Sequence, residues 1–150
     1  MTMSTHTATA EEPAWKSVAA LVGRLIFAAV FLLAVSFKFA GMQATADYIA
    51  AAGFPFPLLL AWVAAIFEVA LILGFLSGAF FAEAALLAAL YVIFLTFAFH
   101  GPSHWTNPDG TQNQAEFGFF VDHFTFLAGL LFAAAFGPGK WAVKMGWMER

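Results

Sequence analysis

Residues 57–77, PLLLAWVAAIFEVALILGFLS, and residues 79–99, AFFAEAALLAALYVIFLTFAF, stand one glycine apart. Each stretch carries a single acidic residue, Glu68 or Glu83, and no Lys or Arg. At 1.5 Å per helical residue, each reaches about 32 Å, enough to cross the hydrocarbon of a bilayer. Two spans in immediate succession read as an antiparallel helical hairpin that turns at Ser77-Gly78. Gly74-x-x-x-Gly78 is a small-residue pair of the kind that lets helices approach closely, or else part of that turn. Pro57 suits the first helical position, where its missing N–H would have had no partner.

Residues 17–40 and 117–137 are also long, mainly apolar stretches, giving four spans in all. The 150-residue chain is 63% hydrophobic and only 10% charged, with a mean hydropathy of +0.85. A soluble domain carries about 25% charged residues. Transmembrane β-strands would show short alternating segments of about ten residues, and none are present. The expected fold is all-α, an integral membrane four-helix bundle spanning 17–137. Residues 1–16, rich in Thr and Ala, read as a mobile tail, and 138–150 as a second tail. The acidic-to-neutral leader lacks the basic start of a cleavable signal, so 17–40 is expected to remain as a span.

Lys16 precedes the first span, and Lys140, Lys144 and Arg150 follow the fourth, whereas 41–56 and 100–116 hold no Lys or Arg. This asymmetry puts both termini in the cytoplasm and the polar loop 100–116 on the opposite side, in a bacterial cytoplasmic membrane. Trp15, Trp105, Trp141 and Trp147 fall at span ends, as interfacial anchors do. Net charge is −3, which excludes a nucleic-acid partner because no cation excess is available for phosphates. With no cysteine, thiolate metal sites, iron–sulfur ligation and cysteine nucleophiles are excluded. Redox chemistry would need a borrowed cofactor.

Ionisable residues inside spans are costly and mark either a functional site or a structural pair. Arg24 and Glu68 lie about 12 and 13 Å from the cytoplasmic ends of their spans, counted at 1.5 Å per residue, and are expected to pair and fix helix register. Lys38, His100, Asp122 and His123 form a second polar layer near the opposite face. There a quinone head group could bind, with Lys38 and a protonated His donating to a carbonyl and Asp122 orienting a histidine or accepting a proton. Histidine, with a reference pKa of about 6.5, suits proton exchange. Alternatively Lys38 snorkels to the interface. His100 and His104 have the spacing of helical metal ligands, but Gly101-Pro102 interrupts the helix, so no metal site is expected. Haem ligation by His100 with His123 is not favoured. The abundant Phe residues face lipid, pack, or flank a quinone ring and tail.

Over roughly residues 17–137 the chain resembles the DoxX family of small four-helix bacterial membrane proteins. The resemblance rests on Gly23-Arg24-Leu25, Lys38, Gly53-Phe54-Pro55, Glu68 and His100 in that order; Asp122-His123 depart from the pattern, in which relatives more often show a basic residue and Asn. It implies a four-helix bundle in or beside membrane redox systems, including the membrane subunit of thiosulfate:quinone oxidoreductase. Three functions follow as expectations: a subunit of a quinone-linked oxidoreductase, a structural or assembly subunit packing on a larger complex, or a small transporter or proton pathway. Partners would be the lipid bilayer and a larger redox complex or further copies of the chain.

Overall fold

The computed structural model describes residues 13–143; Trp147, Lys144, Arg150 and most of the tail 1–16 lie outside the described residues. Five α-helices follow one another: α1 (Ala14–Ala40), α2 (Met42–Ala51), α3 (Pro57–Ser77), α4 (Phe81–His100) and α5 (Gln114–Phe136), with one turn of 3-10 helix at Pro102–His104. Four of them, all but α2, are long and apolar enough to cross a membrane. The all-α membrane bundle expected from the sequence is therefore what forms. Helix α2 replaces what reads in the sequence as a loop, because its ten residues are too few to span and too mixed to stand out.

In lipid the hydrophobic effect does not draw helices together, so close packing of small side chains must do so. Helix α4 meets this need with Ala84, Ala85, Ala88 and Ala89, all buried and spaced along one face, and α3 with Ala61 and Ala65. Their large residues turn outward: Leu59, Ile66 and Leu73 of α3 and Leu90 of α4 are all exposed. Helix α1 packs on α3, α3 on α4 and α4 on α5. The ring closes where Phe27 and Phe31 of α1 meet Phe126 of α5 and Phe75 of α3 at centroid distances of 5.4–5.9 Å. Helix α5 is the least embedded, burying Leu130 alone.

The α3–α4 hairpin turns as its glycines suggest. Gly74 lies so close to α4 that a Cβ would meet Ala84 Cβ at 2.9 Å. Gly78 adopts φ +72° and its N–H returns to Gly74 O. A Cβ on Gly78 would also strike the Arg24 guanidinium at 2.9 Å, so both readings of the pair hold, one glycine for each.

Arg24 is only 2% exposed and caps the carboxyl end of α3. Its Nε donates to Phe75 O at 2.9 Å and its Nη2 to Leu76 O at 2.6 Å. Its Nη1 donates to Trp141 O at 3.0 Å and Pro138 O at 3.4 Å. A cation here satisfies carbonyls left over at the helix end and meets the negative end of the helix dipole. The segment after α5 is thereby folded back across this end of the bundle, where Val143 N also donates to Ser77 O. The start of α1 and residues 137–143 thus share one end, the terminal side; the loop 101–113 lies at the other, the loop side.

The expected Arg24–Glu68 pair does not form. Side chains on a helix lean toward its amino end, and α1 and α3 are antiparallel, so Arg24 and Glu68 lean apart. Seven residues, about 10 Å of helix rise, separate Glu68 from the Phe75 carbonyl that Arg24 reaches. Arg24→Ala should cost about 3 kcal/mol or more, by stranding several buried carbonyls, and should expose the chain after Lys140 to protease. Combined with Glu68→Gln, the costs should add within about 0.5 kcal/mol, as they do for groups that share no partner; unfolding in detergent measures both.

Candidate functional site

Glu68 is the other buried charge among the described residues, 1% exposed. Its leaning direction brings it to Lys38, which leans from α1 toward it. Lys38 Nζ donates to Glu68 Oε1 at 2.8 Å, and the hydroxyl of Tyr91, on α4, donates to the same oxygen at 2.9 Å. Glu68 Oε2 is buried with no hydrogen-bond partner among the described residues. One carboxylate therefore joins three helices. Lys38 does not merely snorkel, since its ammonium is turned into the bundle.

Lys38 and Tyr91 also line a cavity of about 780 Å³ on the loop side. Gly41 breaks α1 and lets α2 lie against the start of α3 and the end of α4, burying Ala46 and Ile49 beside Ala61. The cavity forms beneath it. Its wall is largely aromatic: Tyr48 stacks on Phe99 at 5.1 Å, and Phe54 meets Phe94 and Phe99 at 5.8 and 5.9 Å. Phe37 and Phe94, 70% and 51% exposed, belong both to the cavity wall and to the outer surface of the bundle.

His100 and His123 also line this cavity. His100 closes α4, and Gly101 follows because a Cβ there would lie 2.6 Å from Phe97 O, so the chain can turn this tightly only at a glycine. Trp105 Nε1 then donates to His100 O at 2.9 Å, and its ring packs on Phe117 and Phe120, drawing the loop across to α5. Asn113 caps α5 by accepting from Glu116 N, as Asn does at helix starts. Glu116 sits in the first turn of α5, where a negative charge suits the helix dipole. Its Oε2 is 2.7 Å from His100 Nδ1. The ring centroids of His100 and His123 are 5.0 Å apart, and His123 Nδ1 is bonded to Phe119 O, one turn back on α5.

Of the four residues expected in the outer layer, the structure brings Lys38, His100 and His123 to one cavity. Asp122 is exposed and does not line it. Adjacent helix positions point about 100° apart, so His123 and Asp122 cannot share a wall, and Glu116 orients the histidine instead. His104 is exposed in the 3-10 turn and contacts Ser103, apart from His100. No cluster of three or more metal-ligating side chains occurs among the described residues. Axial imidazoles bind haem iron from opposite faces, and rings this close to one another leave no space for a porphyrin between them. Glu83, counted among the intramembrane charges, is exposed in the first turn of α4 and belongs to that helix's amino end.

Tyr48, Tyr91 and Glu116 do not emerge from the sequence reading. A signal for the first two exists: the chain has twenty Phe and two Tyr, and both tyrosines line the cavity. Burial first, and then the charge of Glu116, raise the Tyr48 hydroxyl above its ordinary value, keeping it a neutral phenol.

Removing Lys38 strands a buried carboxylate. Lys38→Met should cost about 3–5 kcal/mol and Tyr91→Phe about 1.5–3 kcal/mol. Adding Glu68→Leu to Lys38→Met should restore much of the loss. The expected signature in detergent unfolding is a coupling of at least about 1 kcal/mol between Lys38 and Glu68; strict additivity would contradict the pair.

Comparison with curated proteins and with solved structures finds no match. The profile of one family, DoxX, matches residues 19–101, more than half of the chain. That segment runs from α1 through the end of α4 and contains Lys38, Glu68, Tyr91 and His100, the framework of the loop-side cavity, together with Arg24 at the terminal side. The chain is a multi-pass membrane protein, and it belongs to the DoxX family.

Proposed function

We propose that this chain is the membrane subunit of a quinone-linked oxidoreductase assembly and that an isoprenoid quinone or quinol occupies the loop-side cavity. The observation that carries this reading is the cavity's chemistry: about 780 Å³ of aromatic and aliphatic wall with Lys38, Tyr91, His100 and His123 at a few points. Small-molecule sites typically span about 300–1,000 Å³ and are mostly apolar with a few placed polar groups. A flat ring with two oxygens and a branched hydrocarbon tail matches that lining. Phe37 and Phe94, reaching from the cavity wall to the lipid-facing surface, support a path by which a tail leaves between helices.

When bound, a quinone supplies a reversible couple of two electrons and two protons. The chain's own residues have simpler tasks. Lys38, held by Glu68, donates to one ring oxygen. The histidines exchange a proton at the other, and Glu116, a quarter exposed, links His100 to the aqueous side. The distribution of Lys16 and Lys140 supports a cytoplasmic terminal side, with the cavity then near the outer face of a bacterial cytoplasmic membrane. Arg24, fully engaged with carbonyls, has no part in ligand binding. The exposed α5 favours a second role compatible with the first, packing against a larger subunit.

The purified full chain in detergent should bind a decyl-tailed hydroquinone, kept reduced under nitrogen and followed by equilibrium dialysis. His123→Ala should weaken binding about tenfold, the loss of one hydrogen bond at a buried site. Ala64→Phe, which fills the cavity, should abolish it, whereas Lys140→Ala should leave it unchanged. Undiminished binding by Ala64→Phe would refute the cavity as the site.

A further inference from the structure

The hydrogen positions on the two histidines follow from their partners. The Phe119 carbonyl beside His123 Nδ1 can only accept, so that nitrogen carries the hydrogen. The carboxylate of Glu116, 2.7 Å from His100 Nδ1, also accepts, which places the hydrogen on Nδ1 there as well. In a neutral imidazole one nitrogen donates and the other accepts. In their neutral forms both rings therefore keep Nε2 as the acceptor nitrogen, on side chains that both line the cavity with centroids 5.0 Å apart. At the other end, Tyr91 has spent its hydrogen on Glu68, leaving its oxygen lone pairs, and Lys38 keeps ammonium hydrogens beyond the one given to Glu68.

We propose that Glu116 is a positioning residue that fixes the His100 tautomer, turning the paired histidines into a two-acceptor wall that selects a hydroquinone over the quinone of the same skeleton. This rests on the reading of the cavity given above and deepens it by naming the redox form that is held. A hydroquinone O–H donates to Nε2, and its second oxygen accepts from Lys38 while donating to the Tyr91 oxygen. A quinone satisfies Lys38 equally well, but at the histidine end its carbonyl oxygen faces nitrogen lone pairs with no hydrogen between them. A buried acceptor left facing an acceptor loses the bond and keeps the desolvation cost. Sites built to bond a ligand hydroxyl therefore reject the analogue lacking it. Glu116 is suited to the task because it sits in the first turn of α5, is not among the residues that line the cavity, and holds the Nδ1 edge of the ring, leaving Nε2 without a hydrogen-bond partner among the described residues. Asp122, one residue before His123, does not reach either ring.

The test compares a decyl-tailed 1,4-hydroquinone with its own quinone, binding to the purified full chain under nitrogen at a pH at which nitrogen NMR shows both rings in their neutral form. The hydroquinone should bind at least about tenfold tighter. Glu116→Ala frees the tautomer and should shrink that ratio to about one, chiefly by weakening the hydroquinone. Glu116→Gln, whose amide oxygen still accepts from Nδ1–H, should restore it. Nitrogen NMR of labelled histidine should show a single Nδ1–H form of His100 in the native chain and in Glu116→Gln, and a mixture in Glu116→Ala. Equal or tighter quinone binding, or a ratio unmoved by Glu116→Ala, would overturn the proposal while leaving the cavity as a quinone site. Failure of both forms to bind would overturn the reading of the cavity and this inference with it.

Discussion

The Glu68 carboxylate is the point on which the loop-side half of the bundle depends. A charge inside a membrane must be met by another charge or by hydrogen bonds, and Glu68 is met from two neighbouring helices, by Lys38 of α1 and Tyr91 of α4. The three side chains set how far α1, α3 and α4 stand apart at that depth. Elsewhere the helices close on alanines and glycines; here long polar side chains lie between them, and two of these, Lys38 and Tyr91, also line the cavity.

The terminal side solves a different problem. Among the described residues Arg24 has no carboxylate partner; its charge is spread over carbonyls from the end of α3 and from the segment after α5. That arrangement uses up the guanidinium and closes the bundle, whereas the loop-side groups retain unused donors and acceptors. The distinction separates a structural site from one with capacity for a ligand. It follows from helix direction, since side chains that lean toward the amino end carry Arg24 and Glu68 away from each other in antiparallel neighbours.

Much of the fold was legible because hydrophobic length is a coarse, additive signal: 57–77 and 79–99 read as a hairpin without knowledge of any contact. Lys38, His100 and His123 were legible because charge and imidazole are conspicuous among apolar residues. Pairing was not. Depth counted from span ends treats helices as rods with level ends, ignores side-chain lean, and so matched Arg24 to Glu68. Helix α2 was hidden by its brevity. Glu116 was hidden by its place in a polar loop, where an acidic residue is unremarked until Trp105 and Asn113 fold that loop against His100. Depth likewise places Asp122 in the layer of His123, but it does not say which way a helical side chain points, and Asp122 is exposed away from the cavity lining.

In the proposed site the head group sits between the two histidines and the pair Lys38 and Tyr91 of the loop-side cavity. Photolabelling with an azido-substituted quinone, followed by peptide mapping, tests it most directly. Adducts should concentrate on the cavity walls, in the peptides holding Tyr48, Phe94 to His100 and His123, and should be displaced by unlabelled decylquinone. Labelling confined to Phe132 and Phe136 on the terminal-side half of α5, or spread evenly over lipid-facing residues without competition, would contradict it.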